Sequence, residues 1–283
     1  MIIQKQQTNQ IKEHLILSLL FIFMFSGCGE TKSMDNNQET SNNNTAVVLI
    51  FCDLTASVDS SSIRKVARDA YNLIFVFPYQ TRLIIYPIDE SPFVKPILDF
   101  TYPSKATKNS QIHKNKIWIR NVARSAYDSI INLYHAEYSN SKTGSRPISC
   151  IMRSLETAHC QFMQFKDVSG KKYSYELIYL SDMLEECGTS PVGPVAFTKK
   201  YFRNSLERLE AYQPEFDLSY ANVSIIISVE QYAMESAYIS YEELKTAWKK
   251  VFMKVGFSAE RIEGFNFLPT IPPKFDLRNS VWR

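Results

Sequence analysis

Apolar residues run almost without interruption from Val47 to Cys52 and from Val223 to Val229, with more interrupted apolar runs over Gln80 to Ile88, Phe93 to Phe100 and Tyr175 to Leu180. Unbroken Val/Ile/Leu/Phe runs of this length are the mark of strands buried on both faces of a parallel sheet. Pro96 lies inside the Phe93 to Phe100 run, and a residue that cannot donate to the ladder places that strand at an edge. Between these runs the apolar spacing becomes helical. Ser60 to Ser62 can cap a helix running to about Phe75, with Ile63, Val66, Ala67, Ala70 and Ile74 on one face. Further helices are expected over Asn115 to Tyr138, from Pro147 in a first turn through Phe165, from Ala196 to Tyr212 and from Glu242 to Val255. The alternation predicts an α/β fold: a mostly parallel central sheet with helices on both faces and one antiparallel edge strand.

The amino terminus follows a different pattern. Lys5 and Lys12 precede an apolar segment from Leu15 to Phe25, and small residues then lead to a cysteine in Phe25-Ser26-Gly27-Cys28. The apolar segment falls short of the roughly 20 residues that a spanning helix needs. This layout resembles the signal peptide and lipobox of bacterial lipoproteins, with Phe25 where leucine is usual. The resemblance implies removal of residues 1–27, lipidation of Cys28 with palmitate among the acyl groups, and a membrane anchor in the bacterial cell envelope. The outer membrane, with the chain facing the periplasm or the outside, is the expected destination. Residues 28–45 are Asn-, Gln-, Ser- and Thr-rich and nearly free of large apolar side chains, as in a disordered tether.

The remainder is long enough for one large core-bearing domain, and a hydrophobic content of 45% agrees. Loss of Lys5, Lys12 and Glu13 with the leader changes 32 basic against 29 acidic residues to 30 against 28, so charge does not imply a nucleic-acid partner. The one dense basic stretch, Lys105 to Lys116, is Ser- and Asn-rich and reads as a solvated loop. Of the five cysteines, Cys52 belongs to the strand core and Cys150, Cys160 and Cys187 allow one disulfide of unassigned pairing. The four histidines form no pair at metal-ligand spacing.

The first strand ends in Asp53-Leu54-Thr55-Ala56-Ser57, and strand carboxyl ends are where open α/β sheets bind ligands. Asp53, Thr55 and Ser57 offer hard oxygen atoms, which suit Mg²⁺ better than zinc or copper. With the strand pattern, these residues resemble the von Willebrand factor A (vWA) family, of Rossmann-like α/β type, and its metal-ion-dependent adhesion site. The likeness covers residues 46–270, leaving 271–283 as a carboxyl-terminal tail. The family's first loop, Asp-x-Ser-x-Ser, is matched by Asp53, Thr55 and Ser57. Its second loop supplies a threonine before a helix; Gly144-Ser145 followed by Cys150 and Ile151 fits that spacing and points to Ser145, with Thr143 as the alternative. Its third loop, usually Thr-Asp-Gly, is matched by Asp182 after the strand LIYL, with Ser181 and Met183 departing from the pattern. The resemblance implies binding without turnover. Mg²⁺, Mn²⁺ or Ca²⁺ would be held directly by Thr55, Ser57 and Ser145 and largely through water by Asp53 and Asp182. A Glu or Asp of a protein partner would complete its shell.

Two other readings stand beside this one. The Asp53 motif also resembles the haloacid dehalogenase superfamily, in which Asp53 would be a phosphoryl-accepting nucleophile. Asp182 with Glu185 or Glu186 would then hold Mg²⁺, and Lys166, Lys171 or Lys172 would neutralise phosphate. Against it, Thr55 stands where the general acid belongs. The third reading is a metal-free vWA scaffold, with Glu185 and Glu186 as an acidic cluster at the start of a helix. Tyr173, Tyr175 and Tyr179 read as sheet-face packing. The tail from Phe265, with Pro269, Pro272, Pro273 and Trp282, reads as extended.

Overall fold

The long apolar runs become the centre of a six-stranded sheet ordered β3-β2-β1-β4-β5-β6. A computed structural model describes residues 45–54, 60–89, 94–139, 148–166, 173–187, 199–226 and 241–266. In chain order the elements are β1 (Thr45–Cys52), α1 (Ser60–Leu73), β2 (Arg82–Pro87), β3 (Leu98–Thr101), α2 (Asn109–Ser139), α3 (Ile151–Lys166), β4 (Tyr173–Leu180), α4 (Lys199–Ala211), β5 (Ala221–Ile226), α5 (Tyr241–Lys254) and β6 (Ile262–Asn266). Strand β3 pairs antiparallel with β2, and every other pairing is parallel.

Strand β1 shows why its sequence carries no polar alternation. Val47, Leu49 and Phe51 face one core with Ile151, Leu155 and Phe162 of α3 and Trp248, Val251 and Phe252 of α5. Ala46, Val48, Ile50 and Cys52 face the other, against Ile63, Val66 and Ala70 of α1 and Ile119, Ala123 and Ala126 of α2. Both faces are therefore dry, and a side chain on either gains roughly 1.5–3 kcal/mol from burial. Phe51 is stacked between Tyr86 and Tyr179, with ring centroids 5.6 Å away on each side.

This is the predicted architecture, a mostly parallel sheet flanked by helices on both faces with one antiparallel edge strand. Four details differ. Helix α3 begins at Ile151, so Pro147 precedes it and does not sit in its first turn. Helix α2 begins at Asn109, so much of the basic stretch read as a loop is helical. Strand β3 is confined to Leu98–Thr101, which leaves Pro96 outside it. Strand β6 was not expected, because Ile-Glu-Gly-Phe-Asn has neither a long apolar run nor clean alternation; it is held by pairing with β5. The leader, Cys28, most of the tether, the 271–283 tail and residues 227–229 lie outside the described residues. No described helix is long and apolar enough to cross a membrane.

Candidate metal centre

Asp53 is the first residue beyond β1, and its N–H still donates to Leu180 O at 2.9 Å, so the sheet itself fixes its position. The side chain is fully buried. Its Oδ2 accepts two hydroxyl hydrogen bonds, from Ser149 Oγ at 2.8 Å and Ser181 Oγ at 2.7 Å. Ser149 precedes α3 and Ser181 follows β4, so three chain segments distant in sequence meet at one carboxylate. A buried carboxylate lacking such donors would carry a large desolvation penalty.

The segment after β4 is built to hold this contact. Ser181 Oγ also accepts from Met183 N at 2.8 Å, and Asp182 Oδ1 accepts from Leu184 N at 2.9 Å. Met183 has φ +63°, the left-handed conformation that glycine adopts without cost, and is completely buried. The backbone shape expected from a glycine is thus kept by a methionine. Its carbonyl is taken by Trp248 Nε1 of α5 at 2.6 Å.

Glu185 and Glu186 do not start a helix of their own; they turn to the amino end of α3. Glu186 Oε2 accepts from Ser149 N at 2.8 Å while Glu186 N donates to Ser149 O at 2.8 Å. Glu185 accepts from Met152 N at 2.9 Å and from Cys187 N at 3.0 Å. Both carboxylates therefore meet the unpaired N–H groups and positive dipole end of a neighbouring helix. Burial pushes the Glu185 carboxyl up to about 7, against the opposing pull of the N–H groups of Met152, Cys187 and Ile151 and of Arg208. A disulfide between Cys150 and Cys187 closes the same junction, with Cα atoms 4.7 Å apart. Both its sulfurs and a Glu185 oxygen lie within 4.8 Å of one another. Because the sulfurs are bonded to each other, this trio is a structural clasp and offers no thiolate to a cation.

Of the residues expected from sequence, Asp53 and Asp182 are both buried at the carboxyl end of the sheet. Thr55, Ser57, Ser145 and Thr143 lie outside the described residues. Among the described residues, Ser149 brings a hydroxyl to Asp53 from just before α3, and sequence reading missed it: a serine just before a helix carries the ordinary signature of a cap. Asp53, Ser149 and Ser181 bring only oxygen atoms together, a chemistry that suits Mg²⁺, Mn²⁺ or Ca²⁺ and not a soft metal, and Asp182 is the next residue after Ser181. Among the helpers of the phosphotransfer reading, Glu185 and Glu186 are engaged with α3. Lys166 stands at the far end of that helix, about 22 Å from its start at 1.5 Å per residue, over the ring of Tyr220. Lys171 and Lys172 lie outside the described residues. The Cys52 thiol is pushed up by burial and by Asp53 and Asp69, so it is no nucleophile.

A mostly parallel, doubly covered sheet with an antiparallel edge strand and an aspartate at the end of its central strand is the Rossmann-like α/β architecture expected from the sequence. No protein-family model and no curated protein matches the sequence. Solved structures of similar shape include a von Willebrand factor type A protein from Catenulispora acidiphila, at 9% identity and TM-score 0.33, with 75% of this chain and 43% of that one covered. An aerotolerance-related membrane protein from Bacteroides fragilis is similar at 11% identity and TM-score 0.33, with 77% and 90% covered. Manganese-loaded TRAP protein from Plasmodium vivax is similar at 10% identity and TM-score 0.32, with 74% and 64% covered. The chain thus spans less than half of the first of these proteins. Similarities at this level concern shape alone, and the site stands on its own geometry.

Proposed function

We propose that the chain is a membrane-anchored vWA-like lipoprotein that binds a divalent cation at the Asp53 end of its sheet and docks an acidic side chain of a protein partner. The observation that carries this reading is the convergence of Ser149 and Ser181 on the buried Asp53 carboxylate. Ser149 joins the hydroxyls expected from Thr55, Ser57 and Ser145, with Asp53 and Asp182 acting largely through water. A cation held by hydroxyls and few direct carboxylates keeps uncompensated charge, and this is what recruits a Glu or Asp from outside. Cys28 would carry the lipid, and residues 28–45 would give the domain reach from the membrane. This reading makes the chain a binding protein and not an enzyme.

The test is Mn²⁺ binding followed by its electron paramagnetic resonance signal in the wild-type chain, Asp53→Ala and Asp182→Ala, with acetate added to saturated protein. The proposal expects binding that both substitutions abolish and a signal that acetate changes. Hydrolysis of a generic phosphoester that depends on Asp53 would replace it with the phosphohydrolase reading. A metal-free scaffold would use the same two hydroxyls simply to satisfy Asp53, and Mn²⁺ would then leave all three proteins unchanged.

A further inference from the structure

The basic stretch that sequence reading set aside has a definite structure. From Tyr102 to Tyr127 the chain carries Lys105, Lys108, Lys114, Lys116, Arg120 and Arg124 and no Asp or Glu. Most of it forms the first half of α2, whose inner face buries Asn115, Ile119, Ala123 and Ala126 against the α1 side of the sheet. Lys114, Arg120 and Arg124 are exposed on the opposite face, with Arg124 4.0 Å from the exposed Asp128 one turn on. Among them stand Ile117 and Trp118, 45% and 40% exposed, two of the few large apolar side chains the described surface leaves open. Trp118 does not swing freely; its ring meets Phe100 of β3 edge-on at 5.7 Å.

The position of this face matters as much as its composition. Tyr102 N–H donates to Thr81 O at 2.8 Å, and Arg82 is in register with both Val47 and Thr101. The basic stretch therefore starts at the end of the sheet where the chain enters β1, opposite the end that carries Asp53. We infer that the exposed face of the first half of α2, with Lys114, Arg120 and Arg124 around Ile117 and Trp118, docks on an anionic phospholipid surface. Cationic side chains attract anionic headgroups, while an exposed Trp and Ile bury into the interfacial layer. The residues between Cys28 and Thr45 span at most about 60 Å fully extended, enough slack for this face to reach the membrane that holds the anchor. The inference stands apart from the cation reading; the anchor reading serves only to favour lipid over nucleic acid as the polyanion.

The experiment is vesicle flotation with the expected mature chain, residues 28–283, carrying Cys28→Ser, so that neither the apolar leader nor a lipid contributes to binding. Vesicles contain either phosphatidylglycerol with phosphatidylethanolamine, or phosphatidylcholine alone. The expected result is flotation with the anionic vesicles, reversed by high salt. It should weaken roughly fivefold for each basic residue removed in Lys114→Gln, Arg120→Gln and Arg124→Gln, and weaken also in Ile117→Ser/Trp118→Ser. All these positions are solvent-facing, and unchanged circular dichroism checks the fold. Equal flotation with both vesicle types, or no response to the substitutions, overturns the inference. So does retention of duplex DNA or RNA, without vesicle binding, that the same three basic residues control.

Discussion

The Glu185 carboxyl makes a prediction whose size follows from its surroundings. It is 1% exposed, accepts backbone N–H groups at the start of α3, and is pushed from an ordinary 4.5 to about 7 by burial. Between those two values the folded chain holds a proton that the unfolded chain has lost. Stability from this group is fully present below about pH 4.5 and is lost as pH rises through 7. A shift of about 2.5 units at 1.36 kcal/mol each gives a loss of about 3 kcal/mol. Glu185→Gln keeps one carbonyl acceptor and has no proton to exchange. Its amide nitrogen facing a backbone N–H adds a cost of about 1–3 kcal/mol that does not depend on pH. Urea unfolding of both proteins from pH 4 to 8, in the presence of chelator and without reductant, isolates the group, because all other carboxylates cancel in the difference. The variant should gain about 3 kcal/mol on the wild type across that range. Parallel curves would refute the reasoning, and so would a wild type that gains on the variant as pH rises.

Three further outcomes follow from the same junction and from one glycine. Cys150→Ser/Cys187→Ser opens a loop with a sequence separation of 37 and should cost about 4 kcal/mol of unfolding free energy by loop entropy, measured in urea without reductant. Met183→Ala loses a buried side chain and keeps the left-handed backbone, whereas Met183→Gly loses the side chain and relieves the backbone. The glycine variant should therefore melt higher than the alanine variant, by an amount equivalent to about 1 kcal/mol. Gly256 has φ +94°, and a Cβ there would strike the Asp217 carboxylate, which also accepts from Ser219 N and Oγ. Gly256→Ala should destabilise by about 2 kcal/mol in the same assay; no change in melting temperature would contradict it.

The layout of the sheet was legible because burial on both faces leaves an unmistakable apolar run at Val47 to Cys52, and because Pro96, two residues before β3, marked the edge. The burial of Asp53 and Asp182 at the carboxyl end of the sheet was legible for a related reason: both stand within two residues of the end of a buried strand. Ser149 was not, because its role depends on the fold bringing α3 against β4, and a hydroxyl before a helix has a commoner local use. The roles of Glu185 and Glu186 were hidden in the same way, since the dipole they meet belongs to a helix that ends before β4 begins. Strand β6 escaped because an edge strand held by backbone pairing needs no apolar pattern of its own. The charged face of α2 was visible as composition, but only the helical start at Asn109 sorts its residues into an inner face and an outer one.

The central claim is that the Asp53 end of the sheet binds a divalent cation with help from Ser149. Calorimetric titration of Mg²⁺ and Mn²⁺ into the full chain, beside Asp53→Asn and Ser149→Ala, tests it most directly. The account predicts a single site in the wild-type chain, no measurable binding in Asp53→Asn, and binding weakened at least roughly tenfold in Ser149→Ala, the loss of one coordinating hydroxyl at about 1.4 kcal/mol or more. Equal heats in all three proteins, or none in the wild type, would contradict it.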